Sequence, residues 1–497
     1  MKKILENITV YHVIIFITIF YFFNPTKNSS LDAYAYASYI KYNENLFLPH
    51  HLIYNFFLYT LIKPFNLLFN NINILLVSKY INAFFQILNL IVFYRILSKL
   101  SIPKREKLLF IIIVGFSFSL WRYGTENETY IIPITFSLLG SFYFLDFLKT
   151  SALKYVFYSG LFATIACLFH QIHFFWWLGL LIGTFFHTKK LKQTLVYGIS
   201  ALIVPLTYIL VLVFYNNLAL TPTNLVHFVF NDFYTGSAKT EFGLNNLFLI
   251  AISSVRTFFQ VHSNIYFLIK NNILFAIPIV PLLYFGYKLI KVTLNKDLLH
   301  YRKLDEDSFV KSHILIFTLH FLFAFYAVGN VEFMVMLPFL IFLSVFIKYS
   351  VNKSLLNILA LTLFIWNFSY GIYPNSHYKY YNDDVLVDFI IQHPNNKFLV
   401  KNDAVLNKFY YKTGIDNYNN ILLSSKLTSA NDFNKLIIEN EIIYTDIINK
   451  PSIFNRQTIT SKKSLNYDFS KFDKKFIMSY QGLYGASKIY QLKSTSK

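Results

Sequence analysis

A single cysteine, Cys167, stands in 497 residues, and it lies inside an apolar run. No intramolecular disulfide and no thiolate metal cluster can form. Charge is almost as scarce, at 14% of residues against roughly 25% in a soluble globular chain. With 55% hydrophobic and 20% aromatic residues and a mean hydropathy of +0.44, this composition excludes an ordinary cytosolic enzyme and a disordered chain. Acids are the rarest charge, 25 Asp and Glu against 45 Lys and Arg, which leaves a net charge of +20. Walker, GxGxxG, GxSxG and HExxH sequences are all missing, so ATP hydrolysis, dinucleotide chemistry, the common serine hydrolase elbow and a zincin site lack support.

What the chain has is long hydrophobic runs, and a spanning helix needs about 20 mostly apolar residues. Runs of that kind fall near 8 to 23, 74 to 97, 107 to 121, 129 to 148, 154 to 170, 172 to 188, 193 to 215, 271 to 290, 312 to 328, 332 to 348 and 354 to 372. They predict an all-α polytopic membrane protein of about 11 transmembrane helices. The first follows Met1-Lys2-Lys3 and lacks a small-residue cleavage site, so it reads as an uncleaved span. The apolar segment from His50 to Phe69 is interrupted by Pro64 and followed by Asn70-Asn71, and reads as a helix lying at the interface within an external loop, residues 24–73.

Placing the N-terminus in the cytoplasm puts 20 of the 45 basic residues, with 7 acids, on the cytoplasmic side. External loops before the last span then hold 8 basic and 7 acidic residues. Such a bias is the positive-inside pattern of a cytoplasmic-membrane protein, so the basic balance needs no nucleic acid partner. From 373 to 497 the composition shifts to Asn, Asp, Lys and Ser. Strand-like stretches (Lys397 to Val400, Glu441 to Tyr444, Lys475 to Ser479, Lys488 to Leu492) alternate there with amphipathic helical ones (Val385 to Gln392, Asn431 to Glu439). The expected organisation is a transmembrane domain over 1–372 and a small extracytoplasmic α/β domain over 373–497, with a second external loop over 216–270 in which Gly236 and Gly243 are candidate hinges.

In so apolar a chain, ionisable residues at span ends are the informative positions, because each costs a few kcal/mol unless paired or hydrated. Asp32, His50, His51, Arg122, Glu126, Glu128, Tyr130, His170, His173 and Glu332 fall in five segments that share the external side of this topology. Each also fits an ordinary structural role. Asp32 suits a helix N-terminus, Glu126 and Glu128 an ion-pair cluster with Arg122, the two His pairs polar caps or turns, and Glu332 a helix-dipole acid. Their shared sidedness favours an external polar cavity. Oxygen ligands such as Asp32 and Glu128 would suit Mg²⁺ or Mn²⁺ beside a phosphate, whereas the spacing of a structural zinc site is missing.

A first span, an external loop with an early acid, an interfacial helix and a multi-span bundle together resemble the GT-C superfamily of membrane glycosyltransferases, which includes protein O-mannosyltransferases and lipid A aminoarabinose transferases. Asp32 followed by Pro49-His50-His51-Leu52-Ile53-Tyr54-Asn55 is similar to the external loop of bacterial members. Trp121 with Glu128-Thr129-Tyr130 is similar to their Trp followed by Glu-x-Tyr, and Phe169-His170-Gln171-Ile172-His173 and Glu332-Phe333 also fit. The mannosyltransferase Asp-Glu pair is missing, since Ala33 follows Asp32, so the acid is carried over as one residue.

The resemblance implies an inverting hexosyl- or pentosyltransferase that moves a sugar from a polyprenyl-phosphate donor to an envelope glycan, lipid or protein. Asp32 would be its base, the other nine residues would bind donor or acceptor, and membrane lipids would surround the bundle. A transporter or flippase, or a polymerase or ligase of lipid-linked saccharides, is the alternative. A transporter would place ionisable groups at mid-membrane, and a polymerase or ligase would call for more external arginines than the sequence has.

Overall fold

The computed structural model describes residues 9–69, 72–188, 191–234, 243–261, 264–294, 298–304, 306–327, 330–416, 418–427, 432, 442–451, 469 and 472–494. Gly236, Asn70, Asn71, Met1–Lys3 and the expected helix over 431–439, apart from Asp432, lie outside them. The chain divides into two compact units. One takes in Met1–Pro25, Asn45–Val261 and Ile277–Ile372, and the other Thr26–Glu44, His262–Ala276 and Tyr373–Lys497.

The first unit is helical because a chain in hydrocarbon must satisfy its backbone polar groups internally. Among the described residues, seven helices are long and apolar enough to cross a membrane: Ile74–Lys99, Ile131–Thr150, Leu191–Tyr215, Ile273–Thr293, Asp307–Tyr326, Val331–Lys348 and Lys353–His377. A bent pair, Lys104–Gly115 and Phe118–Gly124, makes an eighth if counted as one span. The three remaining expected spans coincide with the shorter helices Val10–Phe23, Leu153–Phe169 and Phe174–Thr188. The Tyr54–Leu68 helix is 15 residues long and carries Pro64 in its last turns.

Two details of packing aim the polar segments. The bent pair turns by 62°, and the carbonyl of Phe116 at the break accepts from Asn367 Nδ2 at 2.8 Å. The same amide donates to Phe258 O at 2.7 Å, while its Oδ1 accepts from Gln260 N at 2.9 Å. One buried Asn thus satisfies three freed backbone groups and holds the bend. Close helix approach is allowed by Gly160, where a Cβ would collide with the Tyr197 carbonyl.

The second unit is α/β. Among the described residues its sheet has five strands, in the order Ile421–Leu423, Lys397–Val400, Ile442–Thr445, Gly485–Ser494, Phe472–Gly482. The first three strands are parallel and the last two join antiparallel. Among the described residues, the helices Asp384–Gln392 and Ala404–Thr413 alternate with strands, and they bury Leu386, Val387, Ile390, Val405 and Phe409 with Phe398, Val400 and Ile489 of the sheet. Lys450 is buried between Asp383 at 2.6 Å and Asp446 at 2.7 Å.

Candidate functional site

In the helical unit the site is built around the segment 121–130, delivered by the bent pair. Thr125, Glu126, Asn127, Glu128 and Thr129 are all buried, Glu126 at 1% exposure and Glu128 at 2%. A non-helical run of this kind survives only if its backbone finds partners. Asn82, buried on the Ile74–Lys99 helix, supplies them: its Nδ2 donates to Glu126 O at 2.6 Å, to Glu128 O at 2.9 Å and to Tyr54 Oη at 3.2 Å. The Tyr54 hydroxyl in turn donates to Asn127 Oδ1 at 3.0 Å.

Glu126 is neutralised on both sides. Arg122 Nη1 donates to Oε2 at 3.0 Å, and Lys79 Nζ lies 3.7 Å from Oε1, which also accepts from Asn127 N at 3.0 Å. Burial pushes this carboxyl up, but Lys79 and Arg122 outweigh it and hold the group below its ordinary range. It is therefore a carboxylate committed to an internal ion pair, which counts against a free acid or metal ligand at that position.

From this segment a chain of contacts runs through the other polar residues of the unit. The Tyr130 ring stands 5.3 Å from Tyr123 and 5.2 Å from His170, and its hydroxyl donates to Glu332 Oε2 at 3.4 Å. Glu332 Oε2 also accepts from Asn330 Nδ2 at 3.0 Å. His170 is 6.3 Å from His51, whose ring is 4.1 Å from His50. Burial first, then the neighbouring His50 and His170, push the His51 imidazole well below its usual range, which favours the neutral ring. His50 Nδ1 lies 3.0 Å from Asp232 Oδ2, and its carbonyl accepts from Gln171 N at 3.0 Å.

Eight of the ten residues singled out by sequence thus share one contact network with Glu128, whose carbonyl Asn82 holds, or stand beside it: His50, His51, Arg122, Glu126, Glu128, Tyr130, His170 and Glu332. His173 turns inward, with Nδ1 2.7 Å from Ser137 Oγ and its ring stacked on Trp176. Asp32 belongs to the other unit. It is exposed in the first turn of the helix Leu31–Tyr42, which Ser30 caps by accepting from Ala33 N at 2.9 Å.

Sequence reading missed Lys79, Asn82 and Asp232, and gave Tyr54 only as part of a motif. Lys79, Asn82, Gln86 and Asn89 lie three, four and three residues apart, one face of a helix, and all four are buried. That stripe was present in the sequence but vanishes in a run average of hydropathy. Among the described residues no group of three or more His, Cys, Asp or Glu side chains is placed to hold a metal ion, and Asp32 and Glu128 belong to different units.

No protein-family model matches the sequence, and no curated protein matches it. Among solved structures, the chain is similar to the archaeal oligosaccharyltransferase AglB from Archaeoglobus fulgidus, in complex with an inhibitory peptide and a dolichol-phosphate. Identity is 11% and the TM-score 0.44, over 96% of this chain and 74% of that one. ArnT from Cupriavidus metallidurans is similar over 97% of both chains, at TM-score 0.41, with 8% identity in the apo state and 9% when bound to undecaprenyl phosphate.

Proposed function

We propose that the chain is a membrane glycosyltransferase that takes a sugar from a polyprenyl-phosphate donor and passes it to an envelope glycan, lipid or protein. The observation that carries this reading is the buried network of acids, imidazoles, amides and tyrosines in a unit that is otherwise apolar. Such a network is costly within a membrane bundle, and it supplies the mixed donors and acceptors that a polyhydroxylated ring and a phosphate require.

In the reaction, an acceptor hydroxyl attacks the anomeric carbon of the donor sugar. The new C–O bond forms as the bond from that carbon to the phosphate oxygen breaks, and configuration inverts. Asp32 takes the hydroxyl proton, and the polyprenyl phosphate leaves with the electron pair. His50 and His51, with Glu128, Tyr130, His170 and Glu332, bind donor and acceptor, and Arg122 and Glu126 hold the segment from which Glu128 and Tyr130 project. His173, held by Ser137 and stacked on Trp176, packs inside the bundle.

We also assign the orientation: N-terminus cytoplasmic, residues 216–270 and 373–497 outside. Envelope glycans and lipids compared with and without the gene, and with Asp32→Asn, test the function. Loss of one glycosylated product in both is expected, and an Asp32→Asn strain with the full product overturns the assignment of the base. Labelling of single cysteines placed at the exposed positions Thr223 and Lys303 tests the orientation, since only the first should react from outside.

A further inference from the structure

The Asp32 helix does not stand by itself. At 12 residues it is at the short edge of the length an isolated helix needs to hold its shape in water, about 12–15 residues for good helix formers. Its direction is therefore set by what it is tied to. Within its unit the ties come from the α/β domain, and they run along the whole segment 26–44.

At the upstream end, Asn28 makes three bonds with one side chain. Its Nδ2 donates to Asn375 O at 3.0 Å and Tyr378 O at 2.7 Å, and its Oδ1 accepts from Tyr380 N at 2.8 Å. Lys379 Nζ reaches Lys27 O at 3.1 Å and Asp384 Oδ2 at 2.6 Å. At the first helical turn, Asn407 Nδ2 donates to Leu31 O at 3.0 Å, one residue from Asp32. The Tyr34 ring is edge-on to Tyr411 at 6.0 Å and lies 5.4 Å below Lys408 Nζ, which is itself 3.1 Å from Asp384 Oδ1. At the downstream end, Lys41 Nζ and Tyr42 Oη both donate to Tyr411 O, at 2.8 and 3.1 Å, and Tyr410 donates to Glu44.

We propose that the α/β domain is the scaffold of the Asp32 segment, and that Asn28 and Asn407 are positioning residues that set where the Asp32 carboxylate stands. This rests on the assignment of Asp32 as the base. The physical reason is angular. A helix turns about 100° per residue, so a slip by one residue swings Asp32 to another face, and a misplacement of about 1 Å at a reacting group can cost about 100-fold in rate. Asn28 fixes the entry of the segment and Asn407 its first turn, which leaves the carboxylate little freedom to swing.

The test uses the full chain in membrane vesicles prepared from expressing cells, which carry their own lipid-linked sugars and acceptors. Asn407→Asp keeps the shape of the side chain but removes its N–H donors. Asn28→Asp does the same at the other tie. The expected result is at least a tenfold fall in glycosylated product and at least a tenfold rise in amide exchange over 26–44, with exchange over 397–400 and 442–445 unchanged. Asn407→Gln, which keeps a donor, recovers product to within about threefold of wild type. A role confined to holding the domain together would raise exchange over 397–400 and 442–445 as well.

Faster exchange over 26–44 with undiminished product overturns the proposal, and so does unchanged exchange in the double variant that combines Asn28→Asp with Asn407→Asp. If the double variant also loosens 397–400, Asn407→Asp alone decides by the same two readouts. Asp32→Asn, run in parallel, should abolish product without changing exchange. Retained product there overturns the base assignment itself, an outcome distinct from a failure of the two Asn variants.

Discussion

Removing Lys79 tests the most expensive feature of the helical unit. Its ammonium is 5% exposed and stands 3.7 Å from a carboxylate that is 1% exposed. At an effective dielectric of about 20, two unit charges at that separation attract by roughly 4 kcal/mol, before the cost of desolvation. Lys79→Met leaves Glu126 with Arg122 at 3.0 Å, so the expected loss is about 2–3 kcal/mol, below the 3–5 kcal/mol for stranding a buried charge completely. Glu126→Gln takes the carboxylate from Lys79 and Arg122 and should cost about 2–3 kcal/mol, again below that range. The double variant restores the balance and should be less stable than wild type by no more than the worse single change. Equilibrium unfolding in mixed micelles gives the four free energies, and the cycle should show a coupling of at least about 2 kcal/mol. Additive losses, with coupling near zero, would refute the argument that Lys79 and Glu126 are held in a low-dielectric pair.

Three further outcomes follow from other contacts. Lys408 and Lys379 outweigh the effect of burial and push the Asp384 carboxyl down to about 2; since folding favours its ionised form, about 2 kcal/mol of stability is present above roughly pH 4 and lost as pH falls toward 2. The gap in unfolding free energy between wild type and Asp384→Asn should therefore be near 2 kcal/mol at pH 6 and close to nil at pH 2. Asn367→Leu strands the carbonyls of Phe116 and Phe258 and the N–H of Gln260, at about 1–3 kcal/mol each; faster amide exchange at Gln260 with a lowered melting temperature is expected, and wild-type values would show that the bend does not depend on it. Gly160→Val should drive a side chain into the Tyr197 carbonyl and cost about 1–3 kcal/mol, read as a fall in melting temperature that Gly198→Val, which has open space around it, does not produce through packing.

The eleven hydrophobic runs were legible because lipid imposes one requirement, a long apolar segment with an internally bonded backbone, and a linear sequence displays it directly. The strand at Lys397–Val400 and the helix at Asp384–Gln392 were legible for a similar reason, as local periodicity. Glu332, Tyr130 and His170 could be singled out because each interrupts an apolar setting. Their mutual contacts could not be, since they join elements up to 202 residues apart.

By itself the sequence determined the class of solvent, the place of the long apolar segments, the change to an α/β domain, and which rare polar residues merit attention, because all of these depend on composition and short-range pattern. Tertiary structure decided what those residues do for one another. It showed Glu126 bound between Lys79 and Arg122, His173 turned to Ser137, and Asn82 holding the acidic segment by its carbonyls. It also placed the residues around Asp32 in one unit with Tyr373–Lys497, across more than 340 residues of chain. Long-range pairing of this kind is set by packing and by the need to satisfy buried polar groups, and neither leaves a mark on neighbouring letters.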